Sequence, residues 1–267
     1  SLGALLVEPA AAAGLILRLY RARPIGTSDA PEIWAVLQEL TRRAGLPSVP
    51  RPYYVPSALV NAFATGSHKR SAIACTDGLL RTLTPRELAG VLAHEVAHIA
   101  NGDLRTMGLA DYVSRLTSLM AMAGQFSLLT AVPLYLTGMA EINWFGLLLL
   151  ILAPHVALLA QLGLSRVREF DADYTAARLT ADPEGLASAL AKIERVSRSW
   201  RAWVLPGWGN PEPSWLRTHP TTQERIQRLL ELAPHEARAL RQAPSHFADR
   251  LPVVHRTPRW YPGGYWR

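Results

Sequence analysis

The chain has 267 residues, enough for one large domain or two small ones, and 49% of them are hydrophobic, which with a slightly positive mean hydropathy suits a globular domain carrying a small membrane portion. Its net charge of +7 is carried almost wholly by arginine, since Lys69 and Lys192 are its only lysines. No nucleic-acid motif accompanies that charge, so anionic lipid is the expected partner, and the single cysteine, Cys75, excludes an internal disulfide.

Residues 1–23 are apolar apart from Glu8 and end in a basic cluster, Arg18, Arg21 and Arg23. They lack the charged start and cleavage pattern of a signal peptide and are expected to be the end of a membrane helix that begins before residue 1. "APEIWAVLQELTRRA", residues 30–44, repeats apolar positions at helical spacing and is stopped by "GLPSVP". "RPYYVPSALVNAFATG" and "SAIACTDG" read as two strands joined by the polar turn "SHKR", in which His68, Lys69 and Arg70 look solvated. A helix with complete start signals follows. Thr84 can cap, Pro85 suits the first helical position, and Glu87 stands three residues after Thr84.

That helix carries "LAHEVAHIANGD", Leu92 to Asp103, and is expected to run on into the first of two uncharged apolar runs, Leu116–Ala140 and Ile142–Ser165. Only Glu141 separates the runs, and each exceeds the roughly 20 residues that span a bilayer core as a helix. The second is the more uniformly apolar, because the first contains Gln125, Pro133 and several Ser and Thr. A hairpin buried inside a soluble protein is the alternative. Arg105, Arg115, Arg166 and Arg168 flank the outer ends of the pair, which by the positive-inside rule places those ends in the cytoplasm. "SRVREFDADYTAARL" and "EGLASALAKIERVSRSW" then read as helices. Trp200 to Trp215 is a loop rich in Trp, Pro and Gly, and Thr221 with Glu224 forms a second capping box after His219 and Pro220. The expected organisation is an apolar segment 1–23, the first half of a domain 24–115, an apolar helical hairpin 116–165, the second half 166–233 and a tail 234–267.

The chemistry lies in "HEVAH". Residues four apart on a helix share a face, about 5–6 Å apart at Cβ, so His94 and His98 aim at one point and can supply two of the nitrogens a zinc ion needs. Glu95 lies about 100° around the helix from His94 and can reach a water held by the metal without ligating it. Zinc brings the pKa of such a water towards about 7, and a carboxylate accepts its proton. A third protein ligand is required. "SRVREFDADYTAA" offers Glu169 and Asp173, one helical turn apart. One could bind metal and the other hydrogen-bond a ligand histidine, although the pair by itself is also what an ordinary charged helix face looks like.

Four stretches together resemble the HtpX-like membrane metalloproteases, relatives of the Ste24-type CaaX prenyl endopeptidases: "VNAFATG", "GVLAHEVAHIANGD", "SRVREFDADYTAA" after a two-helix apolar segment, and "HPTTQERI". They span most of residues 30–232 in the family's order. The resemblance implies an α+β, mainly helical zincin-like domain with a small β-sheet edge, interrupted by a membrane-spanning hairpin. It implies that His94, His98 and Glu169 bind one zinc ion, that Glu95 is the base and that Asp173 supports the metal site. It further implies that Asn61 holds the substrate backbone, that Arg225 lies near the cleft and that His219 faces the developing oxyanion. Partners would be protein or peptide substrates and membrane lipid, and the location an inner membrane crossed more than once. The family's N-terminal membrane helices and the tail beyond Ala233 find no match.

Other residues read more plainly. His155, inside the second apolar run, is expected to pack between helices, Cys75 to be a small strand residue with no base beside it, and the tryptophans to serve interface or core. Three functions compete: a membrane-anchored zinc endopeptidase cutting membrane or misfolded proteins, a catalytically silent scaffold of the same fold, and a prenyl-protein processing peptidase. The full set of candidate catalytic residues argues against the scaffold. The chamber of the prenyl-processing class needs several more membrane helices than are visible here.

Overall fold

A computed structural model describes residues 9–138, 143–204 and 221–240. Glu141, Trp208, Trp215, His219 and the tail beyond Leu240 lie outside the described residues.

The first helix, α1 (Pro9–Leu19), ends where Arg21 takes a left-handed φ of 51° and the Ala22 amide returns to the Leu17 carbonyl at 2.8 Å. Short β1 (Arg23–Pro24) follows. Helix α2 (Pro31–Ala44) closes on Gly45 at φ 65°, the left-handed stop glycine takes most readily. The strand expected over 51–66 is two strands, β2 (Arg51–Val55) and β3 (Ala62–Ser67). Pro56 has no N–H to continue a ladder, and the loop that follows is held by the Gly78 amide on the Ser57 carbonyl at 3.0 Å. A Cβ on Gly78 would strike the carbonyls of Ala58 and Leu59. With β4 (Arg70–Thr76) the strands form one sheet in the order β1-β2-β4-β3. β2 runs parallel and β3 antiparallel to β4, leaving β3 an edge.

Alternate residues of β4 serve two cores, as the strand period of two requires. Ala72 and Ala74 meet Leu17 of α1, while Ile73 and Cys75 join the main core. That core is built on α3 (Asp77–Thr82), α4 (Pro85–Ala100) and α7 (Pro183–Val204). The capping box of α4 forms as its residues predict. Its Glu87 also accepts from Ser188 Oγ at 2.6 Å and Lys192 Nζ at 2.7 Å, which ties the start of α4 to α7. Burial opposes the charge on Glu87, but these bonds outweigh it and hold the pKa at about 2. Gly90 lets α7 approach, since a Cβ there would press on the Leu186 backbone.

Helix α4 does not run into the apolar segment. It stops at Ala100, Gly102 turns the chain at φ 74°, and a new helix, α5 (Asp103–Leu136), begins. Helix α6 (Trp144–Thr180) passes without a break from the second apolar run into the charged stretch beyond it, through the boundary drawn at 165. α5 and α6 pack on each other closely enough that a Cβ on Gly124 would collide with Leu150. Their remaining faces are open: Leu119, Met122, Phe126 and Leu129 on α5 and Phe145, Leu149, Val156 and Leu159 on α6 are all exposed. Among the described residues α6 is the one helix long and apolar enough to cross a membrane, and little of its apolar stretch is buried. The described residues do not bury this apolar stretch in a core. His155 is itself exposed and hydrogen-bonds through Nδ1 to the Ile151 carbonyl of its own helix at 2.9 Å. Helix α8 (Thr222–Leu240) starts with the Glu224 amide on Thr221 Oγ1 at 3.2 Å and buries Leu229 in the main core.

Candidate metal centre

His94 and His98 lie on the buried side of α4, which is held at its start by the Glu87 network and along its length by α7 and the sheet. The two rings meet edge to face, with centroids 4.6 Å apart and their Nε2 atoms 3.1 Å apart. Glu169 comes from α6, its Oε2 3.4 Å from His94 Nε2 and its Oε1 3.8 Å from His98 Nε2. One donor atom from each of the three lies within 4.8 Å of the others. Two imidazoles and a carboxylate converging so closely are the donor set of a zinc site that keeps an open position, so the residues fit the ion that the family implies.

Each histidine is steadied through its other nitrogen. His94 Nδ1 lies 3.0 Å from Asp173 Oδ1, off the direction of a straight N–H···O bond. His98 Nδ1 lies 2.8 Å from Asp103 Oδ2. Asp103 is the first residue of α5 and only 2% exposed, and its other oxygen faces Arg168 at 3.4 Å. The sequence alone gives Asp103 no task. The available signal was "NGD": a carboxylate five residues after the second histidine, just past a helix stop, is brought back over the last turn.

Arg225 reaches in from α8. Its Nε and a terminal nitrogen fork onto Asp173, each at 2.7 Å, and its third nitrogen is 3.0 Å from Glu169. Such a fork is the strongest form of a charged hydrogen bond. The guanidinium is thus engaged with the carboxylates of the centre and largely buried. Burial opposes its charge, but Asp173, Glu169 and Glu95 raise its pKa. Asp173 is pushed up by burial and drawn further down by Arg225 and His94. Burial likewise disfavours a charged His94, yet Asp173 and Glu169 carry its pKa up to about 9.

Glu95 is 9% exposed, follows His94 on α4, and its charge acts on Arg225 and on Cys75 of β4. Cys75 is fully buried, and burial, reinforced by Glu95, pushes its thiol up to about 12, so it is no nucleophile. Asn61 stands exposed immediately before edge strand β3, which packs beside α4. Its backbone is fixed by the Thr76 amide on its carbonyl at 3.1 Å and its own amide on Thr76 Oγ1 at 3.0 Å. The turn after β3 is exposed as expected, but not idle. His68 Nδ1 bonds the Ile99 carbonyl at the end of α4 at 2.9 Å, and Lys69 accepts from Ser48 at 2.9 Å, so both ends of β3 are pinned.

Residues 27–233 match the model of peptidase family M48. The chain belongs to peptidase family M48. Relatives within it include a "Protease HtpX homolog" of Acaryochloris marina, 42% identical over 82% of this chain and 78% of that protein. Another of that name, from Persephonella marina, is 38% identical over 82% of this chain and 81% of its own length. The crystal structure of S. mikatae Ste24p superposes with a TM-score of 0.55 at 20% identity, over 85% of this chain and 56% of that one. That likeness carries the fold: the zincin-like, mainly helical architecture with its small sheet. With these relatives the chain is an HtpX-like member of the M48 metallopeptidases.

Proposed function

We propose that this M48 member is a zinc-dependent endopeptidase, held in a membrane by its apolar hairpin, that cuts extended segments of membrane or misfolded proteins. The observation that carries the reading is the convergence of His94, His98 and Glu169 beside Glu95 on a buried helix. His94, His98 and Glu169 would hold one zinc ion, with Asp173 and Asp103 orienting the two histidines. When bound, zinc supplies a Lewis acid that polarises the scissile carbonyl and lowers the pKa of water towards about 7. Glu95 takes the proton of the attacking water and returns it to the leaving amine. The substrate adds to β3 as a further strand, Asn61 fixing its register. Arg225 holds Asp173 and Glu169 in place at the edge of the cleft, and His219, outside the described residues, is the candidate to stabilise the developing oxyanion.

Both chain ends of the hairpin lie on the side of the centre, and the arginines there, Arg105, Arg115, Arg166 and Arg168, orient that side to the cytoplasm of an inner membrane. The division into domain halves around the hairpin, 24–115 and 166–233, follows from the same arrangement. The test is metal analysis of purified protein together with casein cleavage, with and without a chelator. One equivalent of zinc and chelator-sensitive cleavage are expected. Metal bound without cleavage of casein or of any extended peptide would favour the scaffold.

A further inference from the structure

The edge strand has a second face. Ala62 and Ala64 of β3 pack towards α4 and the main core, while Phe63 between them turns to the opposite side of the sheet, against the cluster of Leu17, Val55, Ala72 and Ala74. The end of α1 arrives on that side. Because Arg21 breaks the helix in a left-handed conformation, Tyr20 is left lying over Phe63, with ring centroids 5.2 Å apart and planes inclined by 48°. The tyrosine ring is only partly used by this contact, since Tyr20 is 56% exposed and the neighbouring Leu19 73% exposed. The result is an apolar and aromatic step beside the unpaired edge, on the face turned away from the metal ligands.

We infer that Tyr20, with Phe63, is a specificity-determining wall that receives alternate side chains of a substrate strand laid along β3 and selects large apolar ones. This selectivity rests on the peptidase reading and on the geometry of a strand. A segment added to β3 points successive side chains to opposite faces. Those facing α4 lie over the reacting centre, and those facing the other way lie against Phe63 and Tyr20. An aromatic step left half open to solvent gains by being covered with an apolar side chain and gains nothing from a hydroxyl. The preferred substrate class is therefore an extended segment with large apolar residues at every second position on that face, a pattern found in unfolded strands and exposed membrane segments.

The test uses the full chain in mild detergent with soluble peptides of one scaffold, in which each position flanking the cut carries Phe or Ser in turn. Wild type is expected to favour Phe by about tenfold in kcat/KM, mainly through KM, at one or more positions spaced two apart. Tyr20→Ser, a change on the exposed side of the contact, is expected to lower the Phe-to-Ser ratio several-fold while zinc content stays at the wild-type level. Phe63→Leu, which keeps the apolar packing beneath, is expected to lower the ratio by a smaller factor. A ratio unchanged in both variants overturns the inference while leaving the peptidase reading intact, as does an equal loss on Phe and Ser peptides. If Tyr20→Ser keeps the peptide preference but weakens retention in lipid vesicles, the step faces lipid and the inference falls. If wild type cuts none of the peptides in a chelator-sensitive way, the peptidase reading falls, and the inference with it.

Discussion

Helix α6 contains two opposite solutions to burial. From Trp144 to Leu159 most of its leucines, with Phe145 and Val156, stand exposed, whereas from Ser165 to Thr180 it buries Ala172, Asp173, Ala176 and Thr180 and brings Glu169 against two histidines. In water the first half would be costly, at roughly 25 cal/mol per Å² of apolar surface left uncovered. The second half would be costly anywhere if its charges lacked partners. The protein removes the second cost itself, by supplying His94, Arg225 and α4. It leaves the first to its surroundings. One helix thus joins an exposed apolar half to the half that carries Glu169 to the two histidines.

The largest effects are expected at the metal end. Glu95→Gln keeps size and hydrogen bonding but removes the proton acceptor, so zinc should stay bound while turnover falls by about 10²–10⁴-fold. Glu169→Ala removes a ligand, and activity should go with the metal and return in part with added zinc. Metal content beside turnover in both variants decides between the roles. A Glu95→Gln protein that loses zinc while Glu169→Ala keeps it would reverse them.

At the other end, Leu152→Asp introduces a carboxylate into the exposed apolar stretch. In lipid this should cost about 2.5–3.5 kcal/mol of insertion and lower the membrane-retained fraction. In water the same change would be neutral or improve solubility. Protein that gains solubility without leaving the membrane fraction less occupied would break the lipid assignment for this half.

How far these two halves were legible in the sequence follows from what each depends on. Helix α4 was readable because its signals are local: Thr84, Pro85 and Glu87 name its start, and the four-residue spacing of His94 and His98 puts both on one face. The apolar runs were readable from length alone. The break between α4 and α5 was missed although Asn101 and Gly102 announce it, because the apolar residues on either side suggested one continuous helix. The division of 51–66 into β2 and β3 was missed because it depends on a distant contact, Gly78 seated under the carbonyls of Ala58 and Leu59. Likewise nothing near Arg225 in the chain shows that its guanidinium forks onto Asp173. The task of His219 lies outside the described residues.

Between the two extremes lies the frame that holds α4 in place. Glu87, nearly buried, receives hydrogen bonds from Thr84, Ser188 and Lys192 and has its pKa held at about 2 instead of the usual 4.5. A carboxylate depressed on folding contributes stability that is complete above its unfolded pKa and is lost as pH falls through the folded one. The contribution, on the order of 3 kcal/mol for such a shift, should therefore fade between pH 4.5 and about 2. Glu87→Gln should lower stability at neutral pH and flatten the decline in that window. An unfolding series against pH that is parallel for both proteins would show that the carboxylate is not what anchors α4 to α7.

The smallest expected effect concerns the junction itself. Asp103 opens α5, the first helix of the hairpin, and holds His98 Nδ1 at 2.8 Å; its second oxygen faces Arg168, one residue before Glu169 on the other hairpin helix. Asp103→Asn keeps the shape and can still accept a hydrogen bond, but it takes away the charge that makes His98 a better ligand. Losing a partner of this kind typically costs 10- to 100-fold in metal affinity. Zinc affinity by competition with a chelator should accordingly weaken by about tenfold for Asn and more for Ala, with turnover at saturating zinc much less affected. The two ends of the molecule then differ in a measurable way. Leu152→Asp should alter membrane retention without changing zinc affinity, whereas Asp103→Asn should alter zinc affinity and leave retention as it was. If Asp103→Asn binds zinc as tightly as wild type, the short bond to His98 is a feature of the metal-free arrangement, and Asp103 serves only to start α5.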